Sequence, residues 1–258
     1  MLDIQRISKT FNPGTVNEKK AITDLSLHLN KGEFVTVIGS NGAGKSTLFN
    51  AIAGSFYVDA GAITVGGHNM TFLPEYKRAK RIGRLFQDPL KGTAPNMTIE
   101  ENLIAVRLDQ PPFTRGIMMN KSGQDTYAKE MVEQFDIRPA DYNLPTSSLS
   151  GGNAQKVVVA REVSLGNKLL VASQPTRGVD IGAIELIRNT LEKAKKAGAG
   201  VLLVSAELEE IISLSDRIVV IHEGKITGEM RADEANENNL GLLMMGGTDT
   251  GKDGEAAV

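Results

Sequence analysis

The chain of 258 residues carries 29 lysines and arginines against 31 aspartates and glutamates, and it contains no cysteine. The absence of cysteine excludes disulfides, thiolate metal sites and cysteine nucleophiles, and it fits a reducing compartment. A formal net charge of −2 argues against a generally basic nucleic-acid surface. No apolar run approaches the roughly 18 residues that a membrane-spanning helix needs, so we expect no direct membrane insertion.

The first third of the chain predicts short strands joined by tight turns. Apolar residues alternate over residues 21–29, and Phe34–Ile38 is a continuous apolar, β-branched run. Lys45–Ala53 has helical character, and Gly54 is placed to end the helix. Residues 62–65, which lie between glycines, predict a further short strand.

The middle of the chain, residues 87–149, predicts an inserted helical subdomain. Six of the nine prolines fall here, and helical segments at 98–106 and 125–135 lie between them. After residue 150 strands and helices alternate: a helix to about residue 165, a strand at 168–172, a helix at 183–196, a strand at 201–205, a short helix at 207–213 and a strand at 217–221. This alternation predicts an α/β fold with a mostly parallel sheet and helices on its faces.

The pattern of strands and helices predicts one domain followed by a short tail. Residues 1–245 are expected to form one domain. Residues 246–258 are rich in Gly, Asp, Thr and Ala, and they predict a disordered tail.

A glycine-rich loop follows the strand Phe34–Ile38. Residues 39–46 read Gly-Ser-Asn-Gly-Ala-Gly-Lys-Ser and match the phosphate-binding pattern G-x-x-x-x-G-K-[ST] without a mismatch. Glycines let successive backbone N–H groups turn towards phosphate oxygens, and the following helix adds its positive dipole end. We expect Lys45 to reach the β- and γ-phosphates and the Ser46 hydroxyl to bind Mg²⁺. The alternative is a glycine-rich turn without a ligand. The predicted nucleotide-binding residues of this loop are Gly39, Ser40, Asn41, Gly42, Ala43, Gly44, Lys45, Ser46 and Thr47.

A second motif opens a helix about 100 residues after the loop, and it reads Leu149, Ser150, Gly151, Gly152 and Asn153. By itself it is a Ser N-cap followed by two glycines. It gains meaning beside the phosphate loop, beside a glutamine that follows an apolar strand, and beside the Pro-Thr-Arg-Gly-Val-Asp stretch at 175–180. Together these features resemble the nucleotide-binding subunit of an ATP-binding cassette (ABC) transporter over about residues 1–245. The Asn ending and the 175–180 stretch look most like bacterial carbohydrate and nucleoside importers.

The resemblance implies a P-loop NTPase (RecA-like) core with an N-terminal antiparallel β subdomain and the inserted helical subdomain. It implies that ATP and Mg²⁺ bind in the interface of a head-to-tail dimer. The expected partners are a second ATP-binding subunit, as a homodimer or heterodimer, and membrane permease subunits. The implied location is the cytoplasmic face of the cell membrane, where the chain would be peripheral.

The resemblance also assigns roles residue by residue. Phe11 matches an aromatic that stacks on adenine, although a core Phe is the alternative. Gln87 matches the glutamine that senses the γ-phosphate and Mg²⁺ and links the site to the membrane subunit. Ser150 and the glycines after it match the signature that binds the γ-phosphate of the opposite subunit. Asp180 matches an aspartate that communicates across the dimer.

The chain departs from the family pattern at three catalytic positions. Ser173 and Gln174 stand where the family has Asp and Glu, and Ala206 stands where it has a switch histidine. A glutamine cannot take a proton from water, and loss of a general base costs about 10²–10⁴ in rate. With Gln174, Gln87 and Lys45 as the residues at catalytic positions, we expect MgATP binding to persist and hydrolysis in this chain's own pocket to be slow or partner-dependent.

Energising import is the leading function, and two alternatives remain: binding ATP as a regulatory cassette without turnover, and acting on nucleic acid or ribosomes as a soluble cassette ATPase. The single cassette and the near-neutral charge count against the last of these. The start of the chain to about residue 101 resembles single cassettes of amino-acid-type importers. From about residue 127 it resembles the degenerate second cassette of fused nucleoside or sugar importers. A natural lineage and a recombined or designed chimera both fit this pattern.

A basic run and the histidines could suggest other sites. The run consists of Lys77, Arg78, Lys80, Arg81 and Arg84, and it predicts a solvated helix face. The three histidines have no metal-ligand spacing, so they predict surface or strand-edge positions.

Overall fold

A computed structural model describes residues 1–116 and 118–247. The predicted disordered tail therefore lies outside the described residues from position 248 onwards. The chain divides into two compact units, one formed by residues 1–78 with the chain from residue 200, and the other by residues 79–199. Among the described helices, none combines the length and the apolar composition needed to cross a bilayer.

The described chain alternates between strands and helices along most of its length. The strands are β1 (Leu2–Phe11), β2 (Lys19–Leu29), β3 (Phe34–Ile38), β4 (Ala60–Val65), β5 (His68–Asn69), β6 (Ile82–Leu85), β7 (Thr114–Arg115), β8 (Met118–Met119), β9 (Leu169–Ser173), β10 (Gly200–Val204), β11 (Arg217–His222) and β12 (Lys225–Arg231). The helices are α1 (Lys45–Ala53), α2 (Glu75–Arg78), α3 (Ile99–Ile104), α4 (Lys121–Gln134), α5 (Gly151–Ser164), α6 (Ile181–Lys196), α7 (Leu208–Leu214) and α8 (Glu237–Met244).

The first unit contains two sheets. The antiparallel sheet has the order β2-β1-β4-β5, and it is the N-terminal β subdomain that the resemblance implied. In the other sheet β10 and β11 both pair with β3 in parallel, and β12 joins β11 in antiparallel. All five residues of β3 are buried, as expected for a strand covered on both faces. The predicted parallel sheet is thus confirmed, and β3 delivers the chain directly to the glycine-rich loop.

The second unit pairs β6 with β9 in parallel and carries helices α3 to α6. Helix α3 begins at Ile99 because Thr98 and Glu101 form a capping box, and it ends at Ile104, earlier than the sequence predicted. Helix α4 begins four residues before the predicted start. Strands β7 and β8, of two residues each, pair in antiparallel within the stretch that the sequence assigned to helices alone.

The prediction of a solvated basic face is wrong at Arg78, which is only 1% exposed. Its guanidinium donates to the carbonyl oxygens of Ala51 (2.7 Å) and Ile52 (2.9 Å) in α1, and to those of Leu73 (2.7 Å) and Thr71 (3.0 Å). The last carbonyls of a helix have no intrahelical partner, and Arg supplies five donors in one plane. Arg78 therefore caps the C-terminal end of α1.

Candidate nucleotide-binding site

The glycine-rich loop joins β3 to α1 in the first unit. Helix α1 spans Lys45–Ala53 as predicted, and Gly54 ends it in the left-handed region. Gly39, Gly42 and Gly44 have φ values of 152°, 82° and 113°, which L-residues with a side chain rarely adopt. The backbone of this loop therefore depends on glycine, as its sequence pattern predicted.

The glycines of the loop differ in what surrounds them. A Cβ on Gly39 would lie 2.1 Å from the carbonyl oxygen of Ile221, and one on Gly44 would lie 2.8 Å from that of Ala21. A Cβ on Gly42 would meet nothing within 4 Å. Two of the glycines are thus required by close approach of the protein's own backbone, whereas the third borders open space.

Lys45 folds back over the loop that precedes it. Its Nζ donates to the carbonyl oxygens of Gly39 (2.6 Å) and Ser40 (2.9 Å). The side chain is half-buried, and this burial lowers the pKa of the Lys45 ammonium. No side chain caps the start of α1, so its first-turn N–H groups remain available to an anion. The loop combines a partly desolvated cation with backbone donors.

The other predicted loop residues differ in their exposure to solvent. Ser40, Asn41 and Ser46 are exposed and Thr47 is half-buried. Ala43 is buried, and its carbonyl oxygen accepts from the N–H of Gly224 at 2.8 Å. The exposed hydroxyl of Ser46 is of the hard oxygen type that Mg²⁺ accepts together with phosphate oxygens and waters.

Phe11 lies at the end of β1 and is half-buried. Its ring meets that of Phe56 edge to face, with the centroids 5.2 Å apart, and Lys9 Nζ lies 5.7 Å from the Phe11 centroid. The aromatic pair fits the core alternative as well as a platform for adenine, so the adenine role stays a prediction.

The predicted signature starts α5 in the second unit. Ser150 is the N-cap, and its Oγ accepts from the N–H and the side-chain amide of Asn153 at 3.4 and 3.0 Å. Leu149 is half-buried, and a Cβ on Gly151 would meet nothing within 4 Å. The first glycine of the motif is therefore exposed at the start of the helix.

The structure brings the signature and Asp180 together. Asp180 caps α6 by accepting from the N–H of Ala183 at 2.9 Å. A Cβ on Gly152 would lie 2.9 Å from Asp180 Oδ2. The sequence suggested both motifs separately, and this packing gives Gly152 a structural reason that the sequence did not reveal.

The replaced acidic positions lie at the end of β9. Ser173 is the last residue of the strand, and Gln174 adopts a left-handed φ of 44°. The Oε1 of Gln174 accepts from Arg177 Nη1 at 3.0 Å, an interaction that the sequence did not suggest. Ala206 is exposed after β10 in the first unit and offers only a methyl group. Neither unit carries a carboxylate or a histidine at these three positions.

Gln87 is exposed just after β6 in the second unit. The carbonyl oxygen of the preceding residue, Phe86, accepts from the buried side chain of Gln155 on α5 at 3.3 Å. Sequence reasoning missed Gln155, and its place about one turn after Gly151 on α5 is the signal that could have found it.

Comparison with known proteins assigns the chain to a protein family. The family model described as ABC transporter matches residues 22–177. The nucleoside import ATP-binding protein NupA of Lactococcus lactis is 39% identical over 249 residues, covering 96% of this chain and 48% of that protein. The guanosine import ATP-binding protein NupO of Bacillus subtilis is 38% identical and covers 89% of this chain and 45% of its own length. The chain spans about half the length of these curated relatives.

Solved structures agree with this assignment. The ATP-binding cassette MJ0796, solved as a dimer in a post-hydrolysis state with ADP and Pi, is 25% identical with a TM-score of 0.76, covering 90% of this chain and 99% of that chain. A nucleotide-free ATP-binding cassette from an ABC transporter is 26% identical with a TM-score of 0.74, covering 95% of each chain.

Proposed function

Because the chain belongs to the ABC transporter family, we propose that it is an ATP-binding component of an importer for a nucleoside or a sugar. The observation that carries this proposal is the glycine-rich loop of residues 39–46. It leads into α1, whose start has no side-chain cap, and the Lys45 ammonium folds back over it. The cargo class rests on the names of NupA and NupO, which are nucleoside and guanosine import proteins.

Nucleotide binding follows from the chemistry of this loop. First-turn N–H groups and the helix dipole favour an anion at the start of α1, and the Lys45 ammonium can exchange its two carbonyl partners for phosphate oxygens. Phe11 is the candidate platform for adenine. A bound triphosphate would return to Lys45 the charge stabilisation that burial removes.

A magnesium ion accompanies ATP in this proposal. By the family resemblance, Ser46 would offer a hydroxyl oxygen and Gln87 an amide oxygen, and both are donor types that suit Mg²⁺. When bound, the ion neutralises charge on the phosphates. Without a carboxylate at Ser173, the chain has fewer charged groups to hold the ion, so we expect weaker dependence on Mg²⁺ than in cassettes with an Asp there.

Hydrolysis in this chain's own pocket is proposed to be slow. The Gln174 amide cannot accept a proton, and its oxygen already accepts from Arg177. Ala206 supplies no imidazole. Absence of a general base predicts a rate about 10²–10⁴-fold below that of a complete cassette. The chain would therefore keep bound ATP uncleaved for longer than a complete cassette does.

The signature is proposed to complete the pocket of a second ATP-binding subunit. The exposed Gly151 at the start of α5 and the Asp180 carboxylate against Gly152 support this role, as does the dimeric state of the similar cassette MJ0796. Residues 1–245 would be the ABC domain, and the subdomain 87–149 would contact membrane permease subunits at the cytoplasmic face of the membrane.

A regulatory cassette that binds ATP without turnover is the second candidate. The same three replacements, Ser173, Gln174 and Ala206, favour it. Retention of bound nucleotide without phosphate release, together with no transport after reconstitution with permease subunits, would select this function over energised import.

Calorimetric titration of the purified chain with MgATP tests nucleotide binding. We expect saturable binding that weakens at least about tenfold in Lys45→Ala, because a charge-assisted contact to phosphate is lost. The exposed Lys31→Ala is the matched control and should bind like the unchanged chain. If the unchanged chain takes up no MgATP, the proposal is wrong.

Turnover tests the second half of the proposal. We expect little phosphate release from the chain alone and a rise of about 10²-fold or more in the combined Ser173→Asp, Gln174→Glu and Ala206→His variant. The control adds Lys45→Ala to the three changes, which should abolish the gain. Ordinary turnover by the unchanged chain that Lys45→Ala removes would contradict impaired hydrolysis.

A further inference from the structure

Gln155 carries a buried amide of which only one end is used. The residue lies on α5 and is 1% exposed. Its Nε2 donates to the Phe86 carbonyl oxygen at 3.3 Å. Its Oε1 is buried and has no hydrogen-bond partner within the described chain. Since a carbonyl only accepts, the NH₂ group must face Phe86, and the unpaired atom is therefore an acceptor.

A buried acceptor without a donor is rare in folded proteins and calls for an explanation. On either side of Phe86, the neighbouring segment is hydrogen-bonded to α5. The N–H of Arg84 donates to Glu162 Oε2 at 3.2 Å, and Arg161 Nη2 donates to the Gly92 carbonyl oxygen at 2.8 Å. A Cβ on Gly92 would lie 2.9 Å from Val158. The segment 84–92 is thus fastened to α5 at both ends.

Between these fixed ends lies the peptide unit that joins Phe86 to Gln87. A peptide presents its C=O and its N–H on opposite sides, and here the C=O faces Gln155. If this peptide plane turned over, the N–H of Gln87 would face Gln155 instead. If the Gln155 amide also turned about its Cγ–Cδ bond, Oε1 would take the place of Nε2 and accept from that N–H, so the one side chain can bond either arrangement.

We propose that Gln155 is a positioning residue that holds the Gln87 segment in two alternative arrangements. It donates to the Phe86 carbonyl in one and accepts from the Gln87 N–H in the other. This inference rests on the proposed function, in which Gln87 contacts the γ-phosphate and Mg²⁺. Because α5 begins at the signature, the same helix connects that motif to the orientation of Gln87.

The first test needs no nucleotide. NMR relaxation dispersion on the full chain should reveal exchange at the Gln87 amide, and Gln155→Met should remove it because methionine neither donates nor accepts there. Thermal stability should be kept, because an unpaired buried acceptor leaves together with one hydrogen bond. No exchange in the unchanged chain, or exchange that Gln155→Met leaves intact, would overturn the proposal.

Gln124→Met is the matched control. Gln124 is also buried, at 3% exposure, and its Nε2 also donates to a phenylalanine carbonyl, that of Phe113, at 3.1 Å. It lies on α4 in the same unit. The control should leave the exchange at Gln87 unchanged. If Gln124→Met removes it as well, the effect is general loosening of the unit, and the role of Gln155 is disproved.

The second test connects the arrangement to nucleotide. The ratio of MgADP to MgATP dissociation constants should fall about five- to tenfold in Gln155→Met and in Gln87→Ala, and the double variant should lose no more than Gln87→Ala alone. Additive losses would show that Gln155 does not act through Gln87. Should the unchanged chain bind no nucleotide, the proposed function fails, while the dispersion experiment still decides the role of Gln155.

Discussion

The loop that leads into α1 and the segment 149–153 that starts α5 both contain glycines and are both predicted to contact phosphate, yet they are built differently. No side chain caps α1, whereas Ser150 caps α5 and accepts from Asn153. Gly39 in the loop before α1 is closed in by backbone, with only 2.1 Å between its Cβ position and Ile221. Gly151, the first residue of α5, borders open space.

This contrast separates two reasons for a glycine. Gly39 is required by the fold, because any side chain would meet the main chain of β11. Within residues 1–116 and 118–247, nothing lies close enough to require glycine at Gly151, so a surface from outside the chain is the better explanation. The loop before α1 is thus closed in by the protein's own backbone, whereas the start of α5 leaves space that the proposed partner subunit would fill.

The largest expected effect is on folding. Gly39→Ala should destabilise the protein by about 4 kcal/mol, since the backbone clash adds to the cost of a positive φ. Chemical denaturation measures the change. Gly14→Ala is the control, because Gly14 has a φ of 74° but open space around its Cβ position, and it should lose only about 1–2 kcal/mol. Equal losses in the two variants would show that strain, not the clash, decides.

The second effect concerns the other ends of the two helices. Arg78→Met should destabilise by about 3 kcal/mol, because several buried carbonyl oxygens of the first unit lose their donor. Arg107, which donates to the Ser164 carbonyl at the end of α5, is half-exposed, and Arg107→Met should cost about 1 kcal/mol. Thermal unfolding of both variants compares them, and a larger loss for Arg107→Met would refute the capping argument for α1.

Arg78 also shows where sequence reasoning stops. Charge and exposure usually go together, so the basic run predicted a solvated face. The need for donors at the end of α1 depends on which segments meet in the fold, and one sequence does not contain that information. By contrast, α1 itself was predicted to the residue, because a β-branched strand, a glycine loop and Gly54 are local signals.

The candidate site likewise contains some features that the sequence predicts and others that only the fold reveals. The loop around Lys45 and the signature are contiguous motifs, and their residue types state their chemistry. The packing of Asp180 on Gly152, the bond between Arg177 and Gln174, and the use of Gln155 join residues distant in the chain or set by backbone geometry. Such contacts follow from the fold, so they could not be predicted from the motifs alone.

Substitution of the two signature glycines should affect different properties of the protein. Gly152→Ala should lose about 1 kcal/mol of stability, because the new methyl must displace the Asp180 carboxylate from the N-cap of α6. Gly151→Ala should change stability by less than about 0.5 kcal/mol, yet lower MgATP-dependent dimer formation, measured by analytical ultracentrifugation, about tenfold or more. Unchanged dimer formation in Gly151→Ala would contradict the assignment of this surface to a partner.

The smallest expected effect is a pH dependence that belongs to the loop before α1 alone. Burial lowers the pKa of Lys45, and a bound phosphate raises it again. As the pH rises through the lowered pKa of the free protein, binding must first take up a proton, so the affinity for ATP falls. We expect the dissociation constant of MgATP, measured by calorimetry, to rise as the pH increases through this lowered pKa.

Lys45→Arg is the control for this last prediction, because a guanidinium stays protonated as the pH rises. Its affinity should be lower at neutral pH, since the fork of Arg fits the loop less well, but nearly independent of pH. Residues 149–153 contain no titrating side chain, so the segment that starts α5 cannot produce the slope. Parallel pH profiles for the unchanged chain and Lys45→Arg would mean that another group titrates and that burial of Lys45 does not tune binding.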